Sequence, residues 1–311
     1  MRLKFSFETP WPGSDNMQTN LLTNYYRQIK ALRPDIECIE VNSVEERMKP
    51  DSNYHGSVCK YNAYSLLIEN PDNGKYIVVS YAENHYYMFK DPAYFNWDLS
   101  LMQDFITAAG IVNNSIDCRD DGIVKYTPGS YCTQSLTIED AIEKHYALNI
   151  NKVNPLRPKF TGHCADPVRK FVRQDERYEA YTKDEKFLLP YDFIGELNSS
   201  KINVSLTGNA EICHRDIEIM GLGNVCLRPK LKVKFHNPLI PDYHYIGVDY
   251  KNHADPKEIT DLLINKYYEI KDNTELQTFI GNNAREWYLK NGTMQANIDI
   301  LIKIVDFNKL A

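Results

Sequence analysis

The sequence predicts an α/β protein made of two Rossmann-like domains facing a cleft, with C-terminal helices bracing them, and three observations carry that reading. A chain of 311 residues is about twice the length of a typical domain, long enough for two cores. In the second half, apolar strand-like runs alternate with amphipathic helical patterns, as expected of a parallel sheet covered on both faces. Between the halves, NINKVNPLRP, with Pro155 and Pro158, interrupts the periodicity and reads as a linker. The implied boundaries are 1–152 for the first domain, 153–290 for the second, and 291–311 for a C-terminal helix with a path back to the first.

The first half opens with alternation over Leu3 to Phe7, a strand pattern, then the turn-rich TPWPGSDN and a helical pattern from Met17 to Leu32. Ile36 to Val41 reads as a second strand. AYSLLIE and KYIVVSY flank the turn signal PDNG, which predicts an antiparallel hairpin or two neighbouring strands. A helix near Leu99 to Ala109, a short strand at Gly110 to Asn113 and a helix near Ile138 to Leu148 complete a mixed α/β half.

In the second half PKFTG reads as a strand entering a loop, Asp166 to Tyr178 and Tyr191 to Ser199 as helices, and Ile202 to Leu206 as a buried strand. A helix over Glu211 to Leu222 precedes strands at Asn224 to Leu227 and Tyr243 to Val248. Helical patterns at Pro256 to Ile270, Thr274 to Lys290 and Thr293 to Ile304 close the chain. Ligands of such sheets bind at the carboxyl ends of the strands.

Composition narrows the function classes. Charged residues at 25% and hydrophobic residues at 43% are those of a folded globular chain. A net charge of -6 argues against a nucleic-acid partner, which requires a basic face to displace counterions. Seven cysteines at 38, 59, 118, 132, 164, 213 and 226 form no C-x-x-C pair, which points to free thiols in a reducing, cytoplasmic setting. The start, MRLKFSFETPWPG, is too polar for a signal or anchor, and no window approaches a transmembrane span.

Residues 201–229, KINVSLTGNAEICHRDIEIMGLGNVCLRP, carry the chemistry. A buried strand runs into Thr207-Gly208-Asn209, where glycine permits close backbone approach, and a helix then opens with N–H groups facing the loop. That is an anion-binding arrangement. Arg215 lies in the first turns of this helix, within reach of a diphosphate, and Glu218 about one turn further is placed to accept from ribose hydroxyls. Plain helix-face pairing, Glu211 with Arg215 and His214 with Glu218, accounts for the same spacings. The charge of Glu211 argues against direct phosphate contact by that side chain.

The run GNAEICHRDIEIMGLGNVCLRP resembles the donor-binding segment of GT-B glycosyltransferases, and is most similar to the branch with capsule-associated and protein O-glucosyltransferase-like enzymes. FHNPLIPDYHYIGVDY resembles the Pro-rich turn by which those enzymes return to the sheet, and PKFTGHCADPVRKFV their first donor-domain strand, glycine loop and Arg-bearing helix. The resemblance covers 158 to about 290. It implies a nucleotide-sugar donor, with Gly162 and Arg169 lining the diphosphate, Gly208, Asn209, Ala210, Glu211 and Arg215 completing its cradle with Thr207 and His214 alongside, and Glu218 meeting the ribose. Glu211 and Glu218 are seven apart, a departure from the spacing of eight in retaining relatives, so the resemblance implies no stereochemical outcome.

Glycosyl transfer needs a base for the acceptor hydroxyl. The candidates lie where strands of the first half end in polar loops: Glu83 and His85 at the end of IVVSYAENH, and Asp15 after WPGS. The aromatic run YYMFKDPAYFNW offers either a sugar-stacking platform for a glycan or glycoprotein acceptor or a core element. No Asp-x-Asp occurs, Asp120 and Asp121 are adjacent, and the His-Cys pairs lack zinc spacing, so the expectation is no metal and no cofactor. Gly221-x-Gly223 follows a helix instead of a strand, and neither a P-loop nor Gly-x-Ser-x-Gly is present, which sets aside NAD binding, ATP hydrolysis and serine hydrolysis. Two rivals remain open: a catalytically silent glycan-binding module of the same fold, and a Rossmann-type methyltransferase.

Overall fold

A computed structural model describes residues 1–7, 26–42, 65–72, 75–80, 136–148, 150, 152, 154–157, 172, 177, 188–206, 212–231, 237–249 and 255–305. The chain divides into two compact units, one of Met1–Ser130 with Met294–Ala311 and one of Tyr131–Thr293.

The first unit contains a four-stranded sheet in the order β2-β1-β3-β4, with β1 at Arg2–Phe7, β2 at Glu37–Asn42, β3 at Ser65–Asn70 and β4 at Lys75–Ser80. β1 and β2 are parallel, while β3 runs antiparallel to both β1 and β4. The β3–β4 register, from Ser65 opposite Ser80 to Asn70 opposite Lys75, is the hairpin that PDNG predicts. Alternation puts Leu3 and Phe5 on one face of β1, both buried, and the helical stretch 26–32 covers them: the Phe5 and Tyr26 rings lie 4.8 Å apart.

The second unit holds an all-parallel sheet in the order β5-β6-β7-β8. Its strands are β5 at Asn154–Arg157, β6 at Ser200–Val204, β7 at Val225–Pro229 and β8 at Ile246–Val248. Every residue of β7 and β8 is buried, so side chains on both faces of these strands are covered, as parallel sheets require. Around them stand α1 at Leu136–Ala147, α2 at Pro190–Asn198, α3 at His214–Gly221, α4 at Pro256–Ile270 and α5 at Thr274–Trp287. The core combines Ile202, Val204, Leu227 and Ile246 of the sheet with Leu263 and Ile280 of α4 and α5. α6, Met294–Val305, groups with the first unit, where Asp299 pairs with Arg33.

The structure departs from the sequence reading in five places. The helix expected at Ile138 to Leu148 as the end of the first half is α1, which lies in the second unit. β5 occupies part of the expected linker; among the described residues it lies at the edge of the sheet and pairs only with β6, a place where proline is tolerated. α3 begins at His214 instead of Glu211 because Cys213 and Asp216 cap it. β8 is shorter than Tyr243 to Val248: Asp242 adopts φ 59° and a bridge joins Pro241 to Tyr245, closing a tight turn first. α5 passes into a π-helical turn at Tyr288–Gly292.

The exit from α3 fixes its placement on β7. Gly223 has φ 63°, its N–H bonds the Met220 carbonyl at 3.0 Å, and the Asn224 N–H bonds that of Ile219 at 3.1 Å, a Schellman ending that only glycine adopts without strain. Gly281 of α5 approaches so closely that a Cβ there would lie 2.2 Å from the Gly223 carbonyl oxygen. Gly281→Ala should therefore push α5 off this turn and lower stability by about 2 kcal/mol, measurable by urea unfolding.

Candidate functional site

At the carboxyl end of the second unit's sheet, β6 runs into Ser205 and Leu206, and β7 ends at Arg228 and Pro229. α3 starts beside them, and its first turn is held by charge. Asp216, its third residue, accepts from the Cys213 backbone N–H at 2.6 Å, while the Asp216 N–H turns back to the Cys213 side chain. This reciprocal cap satisfies donors that a helix start otherwise leaves open. The Asp216 carboxylate also pairs with Arg228 at 2.7 Å, both side chains fully buried, and accepts from the Cys226 thiol at 3.6 Å. Arg228 Nε donates to the Pro229 carbonyl at 3.2 Å.

Arg215 and Glu218 lie on the same helix, about one turn apart. Arg215 is only 8% exposed; its Nε donates to Ser205 Oγ at 3.3 Å and its Nη2 to the Leu206 carbonyl at 3.4 Å, bringing the guanidinium to the end of β6. Glu218 is 7% exposed, and among the described residues no hydrogen bond reaches its carboxyl group. Burial pushes its pKa up to about 7, with the Asp216 charge adding to the rise and Arg215 opposing it. The buried Cys226 thiol is likewise pushed up, by burial first and then by Asp216, against Arg228 and Arg215. Two arginines, two carboxyl groups and a thiol thus share one electrostatic environment.

Of the residues singled out in the sequence, the structure brings together Arg215 and Glu218, with His214 as the first residue of α3. Asp15, Glu83, His85, Gly162, Arg169, Thr207, Gly208, Asn209, Ala210 and Glu211 lie outside the described residues. Sequence reasoning passed over Ser205, Asp216 and Arg228. Asp216 stands three residues after Cys213, the spacing of a capping box, but cysteine replaces the usual Ser or Thr. Arg228, inside the apolar run VCLRP, carried no signal.

A buried guanidinium at a strand end suits an anionic oxygen, and a buried carboxyl group that no hydrogen bond meets suits a hydroxyl-bearing ligand. Among the described residues no group of three or more His, Cys, Asp or Glu is placed to hold a metal ion, and no helix is long and apolar enough to cross a membrane.

No protein-family model matches this chain, and no curated protein matches it either. Among solved structures, the chain is similar to the crystal structure of Anabaena Alr3699/HepE in complex with UDP-glucose, with 10% sequence identity and a TM-score of 0.49, over 98% of this chain and 100% of that one. A superposition that loose carries no conclusion about what this chain binds. What the coordinates themselves define is an α/β chain whose second unit is a parallel sheet flanked by helices.

The raised pKa of Glu218 has a thermodynamic consequence. Between pH 4.5 and about 7 the folded protein holds a proton that the unfolded chain releases, so this group's contribution is full below 4.5 and declines as pH rises through 7, by up to about 1.4 kcal/mol per pH unit. Glu218→Gln should remove that decline. Denaturant titrations of both proteins from pH 4 to 8 check it, and parallel pH profiles would show that Glu218 is not the linked group.

Proposed function

We propose that the protein is a glycosyltransferase of the two-domain GT-B type, moving a sugar from a nucleotide-diphosphate sugar to a hydroxyl of a glycan or glycoprotein, without a bound metal or other cofactor. The observation that supports it most is the placement of a buried arginine and a buried carboxyl group one turn apart on α3, beside the carboxyl end of a parallel strand. Parallel sheets of this kind bind ligands at that end. In this reading Arg215 stabilises the departing diphosphate, an electrostatic contribution worth more in a buried site than in water, and Glu218 accepts from the ribose hydroxyls. The loop 207–211, with Gly162 and Arg169, completes the diphosphate cradle. A carboxylate or imidazole from the N-terminal half, Glu83, His85 or Asp15, removes the acceptor proton, and the reaction is displacement at the anomeric carbon.

The deciding experiment is thermal unfolding with saturating UDP, GDP, TDP, CMP, NAD and S-adenosylmethionine, with and without magnesium. A ligand at about one hundred times its dissociation constant adds roughly 2.7 kcal/mol, so a selective shift with one nucleoside diphosphate is expected, independent of magnesium. Arg215→Ala should lose that shift and cut transfer by two or more orders of magnitude, about 3 kcal/mol, while near-ultraviolet circular dichroism shows the fold retained. A shift with S-adenosylmethionine alone would replace this reading with methyl transfer; no shift with any nucleotide would replace it with a glycan-binding module.

A further inference from the structure

The Asp216–Arg228 pair is buried at the same strand ends as Arg215, yet neither partner is one of the groups assigned to a ligand. A carboxylate at the start of a helix favours the helix but opposes an anion, because it occupies the field that the helix start would otherwise offer to a phosphate. Asp216 is such a carboxylate: it is the third residue of α3, it bonds the Cys213 N–H, and it adjoins Arg215 in sequence. Arg228 meets it at 2.7 Å with both side chains at zero exposure, so the pair as a whole adds no net charge next to Arg215. The same charges reach the neighbouring groups, since Asp216 and Arg215 both act on Glu218, and Asp216, Arg228 and Arg215 all act on Cys226.

We infer that Arg228 is a positioning residue for the diphosphate site, acting through Asp216: it cancels the charge of the helix-capping carboxylate, so that α3 is capped without repelling the anion bound beside it. This rests on the reading of the α3 end as a diphosphate site. The pair could instead serve only as a mechanical clamp between α3 and β7, and the two roles predict different signs.

The experiment is calorimetric titration of UDP, and of inorganic pyrophosphate as a base-free control, into wild type and four variants at low ionic strength, with folding checked by near-ultraviolet circular dichroism. Asp216→Asn keeps a cap acceptor but removes the negative charge, and should tighten binding about tenfold. Arg228→Gln exposes the anion to an uncancelled carboxylate, and should weaken it by about the same factor. Arg228→Lys, which keeps the charge, should bind like wild type. The double variant Asp216→Asn with Arg228→Gln leaves no uncompensated buried charge, and should fold and return to near wild-type affinity even where a single variant does not fold. Loss of affinity in Asp216→Asn or in the double variant, as a clamp predicts, overturns the inference while leaving the diphosphate site standing. Absence of UDP and pyrophosphate binding by the wild type overturns the site itself and the inference with it.

Discussion

The ion pair between Asp216 and Arg228 is the constraint on which the candidate site depends. Both side chains are removed from water entirely, and desolvating two such charges costs several kcal/mol each before their attraction is counted. The cost is offset in part by the bonds around the pair: the Cys213 amide and the Cys226 thiol donate to Asp216, and Arg228 Nε donates to the Pro229 carbonyl. The result fixes the first turn of α3 to the end of β7. A buried pair of this kind contributes less to stability than its short distance suggests, because a well-packed apolar pair would do as well. What it contributes is a single relation between the helix start and the strand end, and Arg215 and Glu218 inherit their places from that relation.

The other end of α3 is fixed by different means. The Gly223 turn and its contact with Gly281 set how closely α5 approaches, and Arg285 of α5 completes the attachment. Its guanidinium bonds the Gly221 carbonyl at the end of α3, pairs with Glu143 of α1 at 2.5 Å, and lies 4.2 Å over the Tyr146 ring and 5.3 Å from that of Tyr288. Planar stacking together with hydrogen bonding is what distinguishes arginine from lysine in such a place. α3 is therefore held electrostatically at its start and by close packing, stacking and hydrogen bonds at its end. Helices held at both ends can present a side chain to within a fraction of an ångström.

How far the sequence revealed this depends on whether a signal is local. The hairpin around PDNG and the helix Pro256–Ile270 were legible because turn chemistry and apolar periodicity lie within a short window. β5 was read as linker because proline argues against a central strand, and nothing local announces that a strand lies at an edge. Arg215 and Glu218 were visible as charged residues at the start of a helix following a strand. Asp216 was hidden by an unusual cap residue, and Arg228 by its setting in an apolar run, since its partner lies twelve positions earlier and meets it only in the folded sheet. Pairings between elements are written in tertiary structure, where a single sequence gives little guidance.

Asp216 and Glu218 are two carboxyl groups on one helix with opposite solutions to burial. Asp216 stays within an ion pair and a capping box; Glu218 meets no hydrogen bond among the described residues and rises to a pKa of about 7. An apolar side chain of similar size at 218 would cost the fold nothing in desolvation, so the stability of α3 does not account for a glutamate there. Chains tend to break a local rule where a ligand requires it. Asp216 is explained by the architecture of the helix start, whereas Glu218, one turn from Arg215 and set in the same field of charges, takes part in no such architecture among the described residues.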